Sequence, residues 1–199
     1  MDTFEAIYQR RAVKHYDPDH KFSSEEISKL MEAAIQSPTS FNIQNWRFVL
    51  VGDKELRKQI RAAAWDQAHV TDASLLIILT ADLKTWESPE PYWEGAPKDI
   101  AEMLVNMTVQ FYEGKDQLQR DEGLRSCGLV GQTIMLAAKA MGYDSCPMIG
   151  FDSAQVADLI NLPEDHVIGF MIAVGKATEP AWPKGGRLPV EDVIIHEKF

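Results

Sequence analysis

The spacing of apolar positions predicts most of the secondary structure. Thr3 to Arg10 reads as a short helix, and Ser23-Ser24-Glu25-Glu26 supplies a capping box ahead of Ile27, Leu30, Met31, Ala34 and Ile35 at helical spacing. That amphipathic helix stops before Pro38, and a turn-rich segment, Ser37 to Asn42, leads into a strand from Trp46 to Val51 that ends at Gly52-Asp53. A second helix over about Lys54 to Ala64 precedes an apolar strand from Leu75 to Thr80. Asp82 to Pro97 mixes Trp86, Tyr92 and Trp93 with acids and prolines, which suits an irregular loop. Ile100 to Tyr112 and Gly123 to Met141 read as helices, the second apolar nearly all round and so buried in the core or in a subunit interface. Ser145 to Gly150 reads as a loop, Ser153 to Ile160 as a short helix and Val167 to Val174 as a buried strand.

Helices interleaved with three or four short strands give an α+β class, a sheet sandwiched by helices. The tail from Trp182 to Phe199 is a Pro/Gly-rich extension ending in the strand-like Val193-Ile194-Ile195, the kind of segment that reaches a neighbouring subunit. With 199 residues, 45% of them hydrophobic, one domain with one substantial core is expected. A net charge of -10 opposes general affinity for nucleic acid or anionic lipid, which leaves small molecules or proteins as partners. The first ten residues do not resemble a secretory signal, the longest apolar runs are too short to span a bilayer, and two cysteines make no disulfide framework. A cytoplasmic location follows as the expectation.

Several chemistries are tested and set aside. The glycines do not fall into the G-x-G-x-x-G spacing of a dinucleotide site, and Gly169 to Lys176 has the wrong spacing for a phosphate loop and lies inside a strand. The five histidines form no H-x-x-x-H pair and have no cysteine at ligand spacing, so no metal site is expected. Cys127 or Cys146 combined with His69 would make a thiol nucleophile, but no local signature supports it.

Two constellations survive. Arg10-Arg11-Ala12-Val13-Lys14 concentrates three cations at a helix end, suited to a phosphate monoester. Ser37-Pro38-Thr39-Ser40-Phe41-Asn42-Ile43-Gln44-Asn45-Trp46 gathers short hydrogen-bonding side chains in a constrained turn before a buried strand. Each alone also reads as ordinary surface or an ordinary connection.

Together these segments resemble the nitroreductase family of FMN enzymes across nearly the whole chain. The family's opening basic pattern stands here as Arg10, Arg11, Ala12 and Lys14, and its S-P-S-x-x-N-x-Q-P-W segment matches Ser37 to Trp46 with Thr39 and Asn45 as substitutions. Gln67 matches the Asn/Gln after the second helix, Gly142 to Phe151 matches the G-Y/L-x-x-C-P-x-x-G-F/Y segment, and Arg187-Leu188-Pro189 matches the C-terminal R-L-P.

The resemblance implies FMN with NADH or NADPH as donor, and a domain-swapped homodimer built from one nitroreductase-like domain over residues 1–199, its 182–199 extension reaching the partner. It implies that Arg10, Arg11 and Arg187 grip the phosphate and ribityl chain with Lys184 nearby, and that Lys14 and Gln67 face the pyrimidine side of the ring. Pro38, Thr39, Ser40 and Asn42 would line another part of the flavin, some across the subunit boundary. Pro147, Met148, Ile149 and Gly150 would approach the central ring. The chemistry would belong to the flavin, with no catalytic side chain required, and the acceptor would be a nitroaromatic, a quinone or a similar compound. Three departures stand out: Ala12 replaces the usual Ser or Thr, Ile149 stands where some members carry an acid, and Gly185-Gly186 precedes Arg187. Ala12 and Ile149 motivate an alternative, an FMN carrier or redox sensor without efficient turnover.

Overall fold

The computed structural model describes all 199 residues. Its helices are α1 (Thr3–Gln9), α2 (Ser24–Ala34), α3 (Lys54–Ala63), α4 (His69–Asp72), α5 (Lys98–Tyr112), α6 (Asp116–Ala140), α7 (Ser153–Leu159) and α8 (Val190–Val193). Its strands are β1 (Trp46–Val51), β2 (Leu75–Asp82), β3 (Asp144–Met148) and β4 (His166–Gly175). The four strands form one sheet in the order β1-β2-β4-β3, every neighbouring pair antiparallel.

Strand β2 explains the layering. Leu75, Leu79 and Ile77 join Trp46, Ile172, Val174 and residues of α2 and α6 in one cluster, whereas Leu76 and Ile78 join Val51, Ile60, Met171 and Val156 in the other. Side chains alternate along a strand, so a continuous apolar run such as Leu75 to Leu79 must be covered on both faces. Burial of each such side chain contributes about 1.5–3 kcal/mol. Helices α2 and α6 cover one face, and α3, α4 and α7 the other.

Helix α6 lies close against the sheet through glycines. A Cβ at Gly169 of β4 would stand 2.6 Å from the Cβ of Cys127, and one at Gly131 would run into the Phe170 ring. The β2–β4 register slips at Gly169, with Leu79 opposite Phe170 and Thr80 opposite Ile168. A residue left out of the ladder is thus spent where the helix backbone comes nearest.

The structure corrects four of the local expectations. The segment Ser145 to Gly150 is not a loop, because Asp144–Met148 forms the edge strand β3, paired from Asp144 opposite Gly175 to Met148 opposite Met171. Proline lacks a ladder donor and is tolerated at an edge, so Pro147 does not prevent it. Asp82 to Pro97 contains two one-turn 3-10 helices, Thr85–Glu87 and Glu90–Trp93. Helix α6 begins at Asp116 and buries a single stripe that includes Cys127, Val130, Ile134, Met135 and Ala138, while Leu129 is half exposed, so it is not apolar-buried all round. In the tail, Val193-Ile194-Ile195 is not a strand, because Val190–Val193 is a single helical turn and all three residues are exposed. No helix is long and apolar enough to cross a membrane.

Candidate functional site

Helix α1 starts at an Asp2 capping box with Glu5 and ends at Arg10, where the chain leaves helical geometry. It then runs extended along the free edge of β3. Ala12 pairs in parallel with Ser145, the Val13 N–H donates to the Ser145 carbonyl at 3.1 Å, and Tyr16 pairs with Ala177. Val13 is buried, so alternation puts its neighbours Ala12 and Lys14 outward, and both are exposed. The buried Tyr16 phenol, held at the Ala173 carbonyl, has its pKa raised, chiefly by burial.

This alternation builds a pocket of about 260 Å³. Arg10, Arg11, Ala12 and Lys14 form one wall, and Trp182, Lys184 and Arg187 contribute to the other. Both basic clusters therefore meet within one chain. The link between the walls runs through Trp182, whose carbonyl accepts from Arg11 Nη2 at 2.6 Å and whose ring lies under Lys14 Nζ at 4.6 Å. The sequence reading did not single out Trp182. Its only signal is an aromatic residue just ahead of the Lys184–Arg187 cations.

A second group attaches to this pocket through β3. Cys146 and Pro147 follow the bridged Ser145, and Lys14 and Arg10 act electrostatically on the Cys146 thiol. Past the strand end, Gln67 Nε2 donates to the Gly150 carbonyl at 2.8 Å and to Ala64 at 3.0 Å. Both amide hydrogens of Gln67 are used, which leaves Oε1 as its available polar atom. A Cβ at Gly150 would stand 3.0 Å from the Trp65 ring and 3.3 Å from Gln67 Nε2. Ile149 is 79% exposed beside it. Lys14 also acts on buried His69, whose Nε2 has no hydrogen-bond partner and whose pKa is lowered, first by burial and then by Lys14.

The third group does not join them. The Pro38–Asn42 turn is fixed at its start by Ser37 donating to Thr133 at 2.8 Å and at its end by Asn42 donating to the Tyr92 carbonyl at 3.3 Å. Thr39 Oγ1 accepts from the Gln44 N–H at 2.9 Å, and the Phe41 ring packs against Phe111 and Tyr112. None of Pro38, Thr39, Ser40 and Asn42 lines the basic pocket. The turn is also strained, with Phe41, Asn42 and Gln44 at φ of 49, 53 and 44°. A bulky residue such as Phe41 rarely adopts left-handed geometry, and such strain concentrates at functional sites.

The thiols are poorly placed for nucleophilic chemistry. Both are buried, which pushes Cys127 up to about 12 and raises Cys146 as well. One cluster of metal-ligand type exists at Asp82, Asp165 and His166. Arg47 already bonds Asp82 at 3.0 Å and His166 Nδ1 lies 2.7 Å from Asp165, so the group reads as a surface ion-pair network.

The Nitroreductase family model matches residues 7–176. The chain belongs to the nitroreductase family. This nitroreductase is 57% identical to protein DrgA of Synechocystis sp., over all of its own length and 97% of the relative's. It is 30% identical to the oxygen-insensitive NADPH nitroreductase of Helicobacter acinonychis over 89% of each chain. Among solved structures it resembles an Exiguobacterium sibiricum protein in complex with FMN, at a TM-score of 0.91 and 29% identity over 98% and 97% of the two chains. The tail beyond residue 176, with Trp182, Lys184 and Arg187, lies outside the family match.

Proposed function

We propose that this nitroreductase is an FMN-dependent NAD(P)H oxidoreductase, taking hydride equivalents from the nicotinamide and passing them to a nitroaromatic, quinone or similar acceptor in a second step. The observation that carries the reading is the single pocket uniting Arg10, Arg11 and Lys14 with Lys184 and Arg187. Its donor set fits a phosphate monoester, because guanidinium forks and ammonium groups surround one small space. At about 260 Å³ it is smaller than the ~300–1,000 Å³ usual for a whole small-molecule site, so it fits the phosphate end rather than the entire cofactor.

Bound FMN would supply the two-electron carrier, and the chain supplies position and charge. Lys14 would place a cation beside the ring's pyrimidine side, which would favour the negative charge of the reduced form and raise the reduction potential. Gln67, its N–H groups committed to Ala64 and Gly150, would accept from the ring's imide N–H through Oε1. Pro147 and Met148 at the end of β3, with Ile149 and Gly150 just past it, would approach the central ring, and the Ile149 and Gly150 backbone N–H groups would be donors to it. Ala12 contributes backbone only.

The reading includes a homodimer of single-domain subunits in the cytoplasm. The strained turn carrying Pro38, Thr39, Ser40 and Asn42, which lines no part of the basic pocket, would complete the partner's site. Exposed apolar surface supports this: Ile100, Met103, Met107 and Phe111 form one stripe along α5, and Val190, Val193, Ile194 and Ile195 stand uncovered in the extension. In this arrangement Lys184 and Arg187 serve their own chain, and the stretch beyond Leu188 reaches the neighbour.

The test is anaerobic mixing of the FMN-loaded protein with NADH and, separately, NADPH. Bleaching of the flavin within the turnover time by at least one donor is expected. Bound flavin that neither donor reduces would leave a carrier or sensor and end the oxidoreductase reading.

A further inference from the structure

A larger cavity, of about 530 Å³, shares no lining residue with the basic pocket. It opens where the Pro18-Asp19 turn, Gly52 at the end of β1, the start of α3 and the connection from α4 to β2 converge. Four of its nine lining residues are cations, Lys21, Lys54, Arg57 and Lys58, and one, Asp19, is an acid. On a chain of net charge -10 this local excess runs against the average.

Arg57 is the unusual member. It is 8% exposed, and no carboxylate lies within ion-pair distance of it. Its Nε donates to Val51 at 2.7 Å, Nη1 to Ala73 at 2.5 Å and to Thr71 at 3.5 Å, and Nη2 to Ser74 at 3.3 Å, every acceptor a neutral backbone carbonyl. Four bonds leave one of the five guanidinium hydrogens unassigned. A buried cation normally needs a counter-charge, and the carbonyls supply only dipoles. Around it the lysines are exposed and loosely engaged. Lys58 pairs with Glu55 at 2.9 Å, Lys21 donates to the Pro18 carbonyl at 2.7 Å, and Lys54 makes no hydrogen bond or ion pair.

We propose that this cavity binds a small polyanion with at least two linked phosphate groups. Its volume falls within the usual range for small-molecule sites and far exceeds a single phosphate ion. One phosphate would also meet only part of a lining that carries four cations against one acid. No aromatic or branched aliphatic side chain lines the cavity, so there is no platform for a base, and recognition rests on the phosphate chain itself. Ser74 adds a hydroxyl to the lining, whereas that of Thr71 is already committed to Ala68 and Asp72.

Calorimetric titration of inorganic tripolyphosphate into the protein saturated with FMN tests this, because the flavin pocket is then occupied. One site per chain is expected, with affinity falling as salt rises. The double variant Lys54→Ala, Lys58→Ala should bind at least tenfold more weakly while its flavin content and NAD(P)H-driven flavin reduction stay unchanged. ATP should bind no more tightly than tripolyphosphate. Absence of tripolyphosphate binding at millimolar concentration, or equal affinity in the double variant, would overturn the proposal. Tight ATP binding with no response to tripolyphosphate would overturn it too, since recognition would then depend on the base.

Discussion

The two walls of the basic pocket carry similar charge and are built very differently. Arg10 to Lys14 is fastened to the sheet edge through Ala12 and Ser145, with Val13 buried beneath it and Tyr16 anchoring its far end. Trp182 to Arg187 is exposed throughout, and its ties to the facing wall are the Arg11 bond to the Trp182 carbonyl and the Lys14–Trp182 stack. Arg187 reaches only the carbonyl of its neighbour Gly186. A preorganised donor loses little freedom when it meets a ligand, whereas a mobile one must be ordered first. The N-terminal wall should therefore dominate phosphate affinity and the C-terminal wall should act as a closing strap.

Removing the fixed wall is the most severe test of that difference. The double variant Arg10→Ala, Arg11→Ala loses charge-assisted hydrogen bonds of about 1.5–3 kcal/mol each, so FMN binding measured by flavin fluorescence should weaken by about 100-fold or more. Loss of Arg187 should cost less. Arg187→Ala is expected to weaken FMN binding by about tenfold, because ordering the Gly185-Gly186 hinge offsets part of what the guanidinium gains. An Arg187 effect equal to or above that of the double variant would reverse the ranking of the walls, and unchanged flavin content would remove the strap. Trp182→Ala leaves all the pocket cations in place and removes only the ring beneath Lys14, a contact of about 0.5–1 kcal/mol at an exposed site. A loss of about 2- to 5-fold in FMN affinity is expected, and no change would mean that the backbone bond from Arg11 suffices to hold the extension.

The same contrast separates what was legible in the sequence from what was not. Strands β1, β2 and β4 were readable because they are covered on both faces or alternate cleanly, and α2 because its cap and its stripe agree. The edge strand β3 was not, since Asp144-Ser145-Cys146-Pro147-Met148 has neither alternation nor β-branched residues and is held by β4 on one side and the Ala12 segment on the other. That pairing is tertiary, so no local pattern announces it. The early start of α6 was hidden by its polar first turns, in which Gln119 is buried only because it serves the Tyr112 carbonyl. Family motifs placed Arg10, Arg11, Lys14, Lys184 and Arg187 in one reading, and one pocket holds all five. Motifs could not reveal that Pro38 to Asn42 line no part of that pocket, because order along the sequence carries no information on distance in space.

His69 offers the gentlest probe of the fixed wall, because Lys14 acts on it through charge. Burial first, and the Lys14 ammonium second, hold its pKa below the ordinary 6.5, while Asp72 acts in the opposite direction. The unfolded chain therefore binds a proton that the folded chain resists, and stability rises with pH across that interval. It is fully present above about pH 6.5 and is lost as the pH falls through that value toward the lower folded pKa. Thermal unfolding between pH 7.5 and 5 should show Tm falling on acidification, and His69→Gln should flatten the part of the slope just below pH 6.5. If the variant kept the wild-type slope, His69 would not be the group that resists protonation in the folded chain.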